Sequence, residues 1–156
     1  MNYDKAQKEV FNALIRGYRV CGFKYDDEHF FVTPDGYMGW IIPNKEIYFN
    51  TEKIQNINPL DIIGVVSPEN ELKLTLDFRA EGYTRGKMYR RLKGPERSVF
   101  VNDKFLACFQ NARFYQAKDN PTGLITVTER LNPKGEDVPV GVVLPIKIYD
   151  PDWFKE

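Results

Sequence analysis

Histidine occurs once in this sequence, at His29, serine only at Ser67 and Ser98, and cysteine only at Cys21 and Cys108. That scarcity removes most of the familiar catalytic patterns. There is no Gly-x-Ser-x-Gly elbow, no His-Glu-x-x-His, no Cys-x-x-Cys and no dinucleotide-binding glycine run. The stretch from Gly82 to Lys87 comes nearest to a phosphate loop. Three residues rather than four separate Gly82 from Gly86, however, and Met88 stands where a magnesium-binding hydroxyl belongs. No apolar run approaches the ~20 residues that span a bilayer, so no membrane partner is expected. The amino-terminal residues lack a basic stretch leading into an apolar one, which predicts a cytoplasmic chain with two reduced thiols and no disulfide. Neither sign of charge dominates. The 22 Lys and Arg balance the 22 Asp and Glu, so no global field draws the chain to nucleic acid or anionic lipid. No cofactor is implied.

What is present suits one domain over residues 1–156. A chain of 156 residues, 42% hydrophobic and 28% charged, has the composition of a globular protein. At that size about 69% of the extended chain's surface is buried on folding, enough for a core without staples or metals. Asp4 followed by Gln7 fits a capping box, and Ala6, Val10, Leu14 and Tyr18, with Phe11 and Ile15 beside them, form an apolar stripe at helical spacing. The first helix is therefore expected to stop near Gly17 or Gly22. Two strands around the Pro34-Asp35-Gly36 turn predict a hairpin over 29–33 and 37–42, with a further short strand over 46–50. Residues 51–68 suit either a helical turn after Asn58-Pro59 or a strand.

Further on, Leu72, Leu74, Leu76 and Phe78 alternate with Lys73, Thr75, Asp77 and Arg79, the period of a half-buried strand. Strands are expected over 88–92, 98–101, 114–117 and 124–128, with a short helix capped by Asn102 that turns Phe105, Leu106 and Phe109 inward. Val138, Val140, Val142, Leu144, Ile146 and Ile148 recur at period two. Pro139 and Pro145 interrupt the same strand and donate no ladder hydrogen bond, so it lies at a sheet edge or carries a bulge. The class is α+β: a mostly antiparallel β-sheet with two or three helices packed on one face.

Three stretches bear on function. Asp26, Asp27, Glu28 and His29 gather potential metal ligands. Neighbours along a strand point to opposite faces, so these residues suit a solvated acidic turn better than a chelate, and no metal site is expected. Segment 79–97 holds seven Lys and Arg against two Glu, with tyrosines interleaved. Cations spaced for phosphates with rings for bases make Arg85, Lys87, Tyr89, Arg90 and Arg91 the candidate nucleic-acid-binding residues. The alternative is a solvated hairpin whose charges guard a sheet edge. The last residues, Tyr149 to Glu156, pair acidic side chains with Trp153 and Phe154, rings that cover an open core edge or dock in a partner's pocket.

The run Val101-Asn102-Asp103-Lys104-Phe105-Leu106, followed by strands and by Gly141-Val142-Val143-Leu144-Pro145-Ile146-Lys147-Ile148, resembles the closing half of a bacterial sliding-clamp domain. The resemblance implies a clamp-like fold and a non-enzymatic scaffold that binds short partner peptides beside its final strand, with Leu144, Pro145, Ile146 and Lys147 lining the peptide groove. A clamp ring uses six domains, so a one-domain chain would need a homo-oligomer or serve a different role. Clamp helices present cations to duplex DNA, whereas here Lys5, Lys8 and Arg16 face Asp4 and Glu9 on the first helix, which favours peptide binding over encirclement. The expected function is a binding or scaffold domain with a protein or peptide partner. A nucleic-acid module using segment 79–97 is the first alternative, and an enzyme whose site is assembled from dispersed Asp, Glu and Tyr the second.

Overall fold

The computed structural model describes residues 1–56, 72–84, 87–130 and 134–146, and the side chains of all of these except 78–84. The ambiguous segment within 57–71, the residues Arg85 and Lys147, and the aromatic tail from Tyr149 lie outside the described residues.

The first element, α1 (Tyr3–Ile15), starts earlier than the expected capping box. Asn2 is the cap, and its side chain accepts the Lys5 N–H. Gln7 plays a different part. It is fully buried, donates to the Glu46 carbonyl (2.8 Å) and accepts the Tyr48 N–H (2.9 Å). Ala6, Val10 and Ala13 face the core, while Ile15 and Tyr18 from the expected stripe are exposed. Gly17 then takes the left-handed conformation that ends the helix.

Strands β1 (Cys21–Lys24), β2 (His29–Thr33) and β3 (Met38–Pro43) form an antiparallel meander, with the expected hairpin at Pro34-Asp35-Gly36. The strand expected over 46–50 is absent there. A short 3-10 turn (Asn44–Glu46) takes its place, followed by another (Thr51–Lys53) and the two-residue strand β4 (Gln55–Asn56), which pairs with β1 in parallel. Strands β5 (Leu72–Thr84), β6 (Lys87–Lys93) and β7 (Ser98–Asn102) follow as two hairpins, and a single turn of helix, α2 (Asp103–Leu106), leads into β8 (Ala112–Gln116), β9 (Ile125–Arg130) and β10 (Asp137–Val143). Among the described residues α1 is the one helix longer than a turn. The fold is thus α+β, built on a ten-stranded mixed sheet of order β4-β1-β2-β3-β10-β9-β8-β5-β6-β7.

The last strand corrects one expectation and meets another. β10 is interior, paired with β3 on one side and β9 on the other. Pro139 is accommodated by the bulge, not by an edge, since the register with β9 shifts between Pro139 and Gly141, and Pro145 lies past the end of the strand. Past its end, Ile146 makes an isolated bridge to Phe100, so the chain leaving β10 reaches back to β7 at the far edge of the sheet. The core between this sheet and α1 holds Val10, Val32, Trp40, Ile42, Leu74, Leu92, Val101, Ile125, Val127 and Val143. Each large apolar side chain buried there contributes about 1.5–3 kcal/mol. A second cluster, Phe23, Phe31, Ile41 and Val142, occupies the opposite face of the meander.

Candidate functional site

Residues 144–146 leave β10 in extended form. The Leu144 N–H donates to the Tyr37 carbonyl (2.7 Å) and the Ile146 N–H to that of Phe100 (2.8 Å), while Pro145 between them has no donor. All three are half-buried. Their backbone donors are therefore engaged within the chain, which leaves none for pairing with an incoming strand. An adjacent cleft of about 500 Å³ is the more accommodating feature. Tyr37, Phe105, Met88, Lys87 and Lys104 line it, with Asp35 and Asp103 at its edge. Tyr37 and Phe105 stack across it at 6.5 Å and an interplanar angle of 9°, and Tyr37 is 55% exposed.

Local chemistry fixes both rings. Asp35 accepts the backbone N–H groups of Tyr37 (2.8 Å) and Met38 (3.3 Å), Thr33 Oγ1 accepts that of Gly36, and Gly36 supplies the positive φ of the turn. On the other side Asn102 caps α2 through the Lys104 N–H and so sets the direction of Phe105. Phe105 is half-buried against the core, as its sequence position predicts, while Tyr37 is missed because the two rings meet only through tertiary structure.

Strand alternation divides the basic candidates. Lys87 is exposed and borders the cleft, and Tyr89 is half-buried opposite Asn102. Arg90 pairs with Asp103 of α2 (2.9 Å), whereas Arg91 pairs with Asp77 on β5 (2.5 Å). Consecutive arginines thus serve opposite faces of β6. Arg97 turns away altogether, donating to Gln116, Ala117 and Lys118.

A cluster missed in the sequence lies on β8, β9 and β10. Asp137 receives hydrogen bonds from Arg113, Arg130 (3.4 Å) and the Tyr115 hydroxyl (3.2 Å). Burial raises the Asp137 pKa, but the bonds from Arg113 and Tyr115 and the charges of Arg113 and Arg130 outweigh it and hold the carboxyl below its ordinary range. A depressed native value means that this contribution to stability is complete above the unfolded-state pKa of about 3.9 and is lost as pH falls through the native value. Urea midpoints measured from pH 6 downward are therefore expected to show an acid-side loss in the wild type that is smaller in Asp137→Asn. Parallel curves would refute this assignment.

The acidic turn behaves as such. His29 Nδ1 contacts Asp26 Oδ1 at 2.8 Å, and Asp26 Oδ1 also accepts the Glu28 N–H. A cleft of about 630 Å³ beside it combines Asp27, Glu28, Glu46 and Lys45 with an apolar floor of Ile41 and Pro139. No group of three or more metal-ligating side chains occurs among the described residues. Cys21 and Cys108 are both free, and burial pushes the Cys108 thiol up to about 11. No described helix is long and apolar enough to cross a membrane. No protein-family model, curated protein or solved structure matches the chain.

Proposed function

We propose that this chain is a non-enzymatic binding domain of sliding-clamp kinship that receives a short acidic peptide, carrying a large apolar residue, in the cleft lined by the stacked rings of Tyr37 and Phe105. The stacked ring pair, Tyr37 exposed and Phe105 half-buried, carries this reading. Aromatics fixed by turn and cap hydrogen bonds offer apolar area at low entropic cost, and the exposed Lys87, with Lys104 3.9 Å from Glu9, complements acidic flanks. The lining carboxylates Asp35 and Asp103 are engaged by turn N–H groups and by Arg90. Clamp kinship is supported by a helix at the start of the domain, a second short helix capped at Asn102, and the Leu144-Pro145-Ile146 exit from the final strand. Assembly of several copies belongs to the same reading, as does a cytoplasmic setting. Lys147 completes the matching run.

The test uses fluorescein-labelled peptides of about ten residues with a central Leu-Phe, flanked either by Asp or by Lys. The Asp-flanked peptide is expected to bind at least about 10-fold tighter than the Lys-flanked one. Tyr37→Ser, an exposed change that leaves the core alone, is expected to weaken it by about 10-fold or more. Equal binding of both peptides, or indifference to Tyr37→Ser, would overturn the proposal.

A further inference from the structure

The formal charge of the chain is zero, yet cations gather on one face of the sheet. Asp26, Asp27 and Glu28 occupy the turn between β1 and β2, near one end of the strand order. Toward the other end the pairing registers set Lys73 opposite Tyr115, Tyr115 opposite Thr126, Arg113 opposite Thr128 and Arg130 opposite Asp137. The β5–β6 register sets Thr75 opposite Lys93 and Asp77 opposite Arg91. All these positions alternate with the core residues Leu72, Leu74, Phe114 and Val127, so they share the outer face of the sheet. Lys73, Arg91, Lys93, Arg113 and Arg130 stand there against Asp77 and Asp137, the two carboxylates of this face among the described side chains of these strands. Net neutrality thus hides a locally basic surface.

That surface has relief. Lys73 and Lys93 line a concavity of about 640 Å³ together with Thr75, Asp77, Gly94 and Pro95. Beside Lys73 lies Tyr115, whose hydroxyl reaches Asp137 two strands away. The Tyr115 side chain must then lie across β9, which accounts for the burial of Thr126 and Thr128 although they face outward. At the far side Arg113 and Arg130 converge on the single Asp137 carboxylate, which cannot engage all the donors of two guanidinium groups.

We propose that this outer face binds single-stranded nucleic acid. Phosphates sit on Lys73 and Lys93 at one side and on the Arg113–Arg130 pair at the other, and a base stacks on Tyr115 between them. From β6 to β9 is three strand spacings, about 14 Å, a distance that a single strand crosses in a few nucleotides. A ring set among cations favours exposed bases over a duplex, whose bases are already stacked, and guanidinium forks match phosphate oxygens. Of the residues expected from segment 79–97, Arg91 shares this surface. The peptide cleft uses other side chains, so the two proposals stand or fall separately.

The test measures fluorescence anisotropy of labelled oligo-dT and oligo-U of about 20 nucleotides at about 50 and about 200 mM salt. Saturable binding is expected, weakening steeply with salt. The double reversal Lys73→Glu and Lys93→Glu, both at exposed positions, is expected to weaken it by about 100-fold and to flatten the salt slope. Lys53→Glu at the other end of the sheet should leave it unchanged. Tyr115→Leu is expected to weaken binding by about 10-fold at an unaltered salt slope, while Tyr115→Phe keeps most of it. The proposal is overturned by absent saturable binding, by indifference to the double reversal, or by equal affinity for a duplex of the same length. It is equally overturned if polyglutamate competes as well as the oligonucleotide, which would make the partner an acidic protein.

Discussion

Gly141→Ala should destabilise this protein by about 3–5 kcal/mol, although Gly-to-Ala changes at unstrained positions stabilise by about 0.4–1 kcal/mol through the unfolded chain. The reason is close approach. Gly141 lies in β10 where the strand is bonded on both sides, opposite Trp40 of β3 and Val127 of β9. An added Cβ would run into the Gly39 carbonyl oxygen and the Phe109 ring. The ring can move, but the carbonyl belongs to the neighbouring strand and cannot retreat without breaking the β3–β10 ladder. The bulge just before Gly141 supplies no slack, because it already absorbs the extra residue at Pro139 and Val140. Chemical denaturation of Gly141→Ala alone and combined with Phe109→Ala separates the two obstacles. The carbonyl clash predicts that shortening Phe109 recovers only a minor part of the loss. A single-variant effect under about 1 kcal/mol would show that the strands can separate locally, and the account of β10 as a rigid central strand would fail.

The same strand shows what was legible in the sequence and what was not. Local periodicity read well wherever one face met water: Leu72 and Leu74 are buried, Lys73 and Thr75 exposed, and the Pro34-Asp35-Gly36 turn joins the strands it predicts. Proline chemistry narrowed β10 to an edge or a bulge, because the missing donor is the same in both cases. Only the long-range pairing of β10 with β3 decides between them. For α1 the helix and its Ala6, Val10 and Leu14 stripe were legible, but the exposure of Tyr18 and the burial of Gln7 were not. Spacing drew a stripe through Leu14 and Tyr18, whereas the backbone groups of Glu46 and Tyr48 need a polar partner and draw Gln7 inward. The candidate sites suffered similarly. Seven nearby cations read as one patch, yet alternation sends Arg90 to Asp103 and Arg91 to Asp77, and Arg97 folds back on β8. The outer-face cations come from β5, β6, β8 and β9, and no window of the sequence holds them together.

Arg97 leads to the second large effect, Gln116→Leu. Gln116 is fully buried at the end of β8, and its side-chain amide is used at both ends. Its Nε2 donates to the carbonyls of Pro121 (3.2 Å) and Gly123 (2.9 Å), which closes the turn into β9. Its Oε1 accepts from Arg97 Nε (3.2 Å) and a terminal nitrogen (3.0 Å), and Arg97 also donates to the Ala117 and Lys118 carbonyls. The β6–β7 connection is thereby tied to the β8–β9 turn through one amide. Leucine keeps the volume but leaves two carbonyls and a guanidinium edge without their partner. Buried neutral groups left unsatisfied cost about 1–3 kcal/mol each and charged ones more, so a loss of about 3–5 kcal/mol is expected. At this chain length that corresponds to a fall in Tm of about 6–20 °C. Gln116→Glu distinguishes the two ends of the amide: it retains an acceptor for Arg97 but loses the donor to Pro121 and Gly123, and should recover part of the loss. If instead Glu is no better than Leu, the Arg97 bond contributes nothing and the turn alone accounts for the burial of Gln116. A loss under about 1 kcal/mol in Gln116→Leu would mean that the two loops are held by packing, with the polar knot incidental.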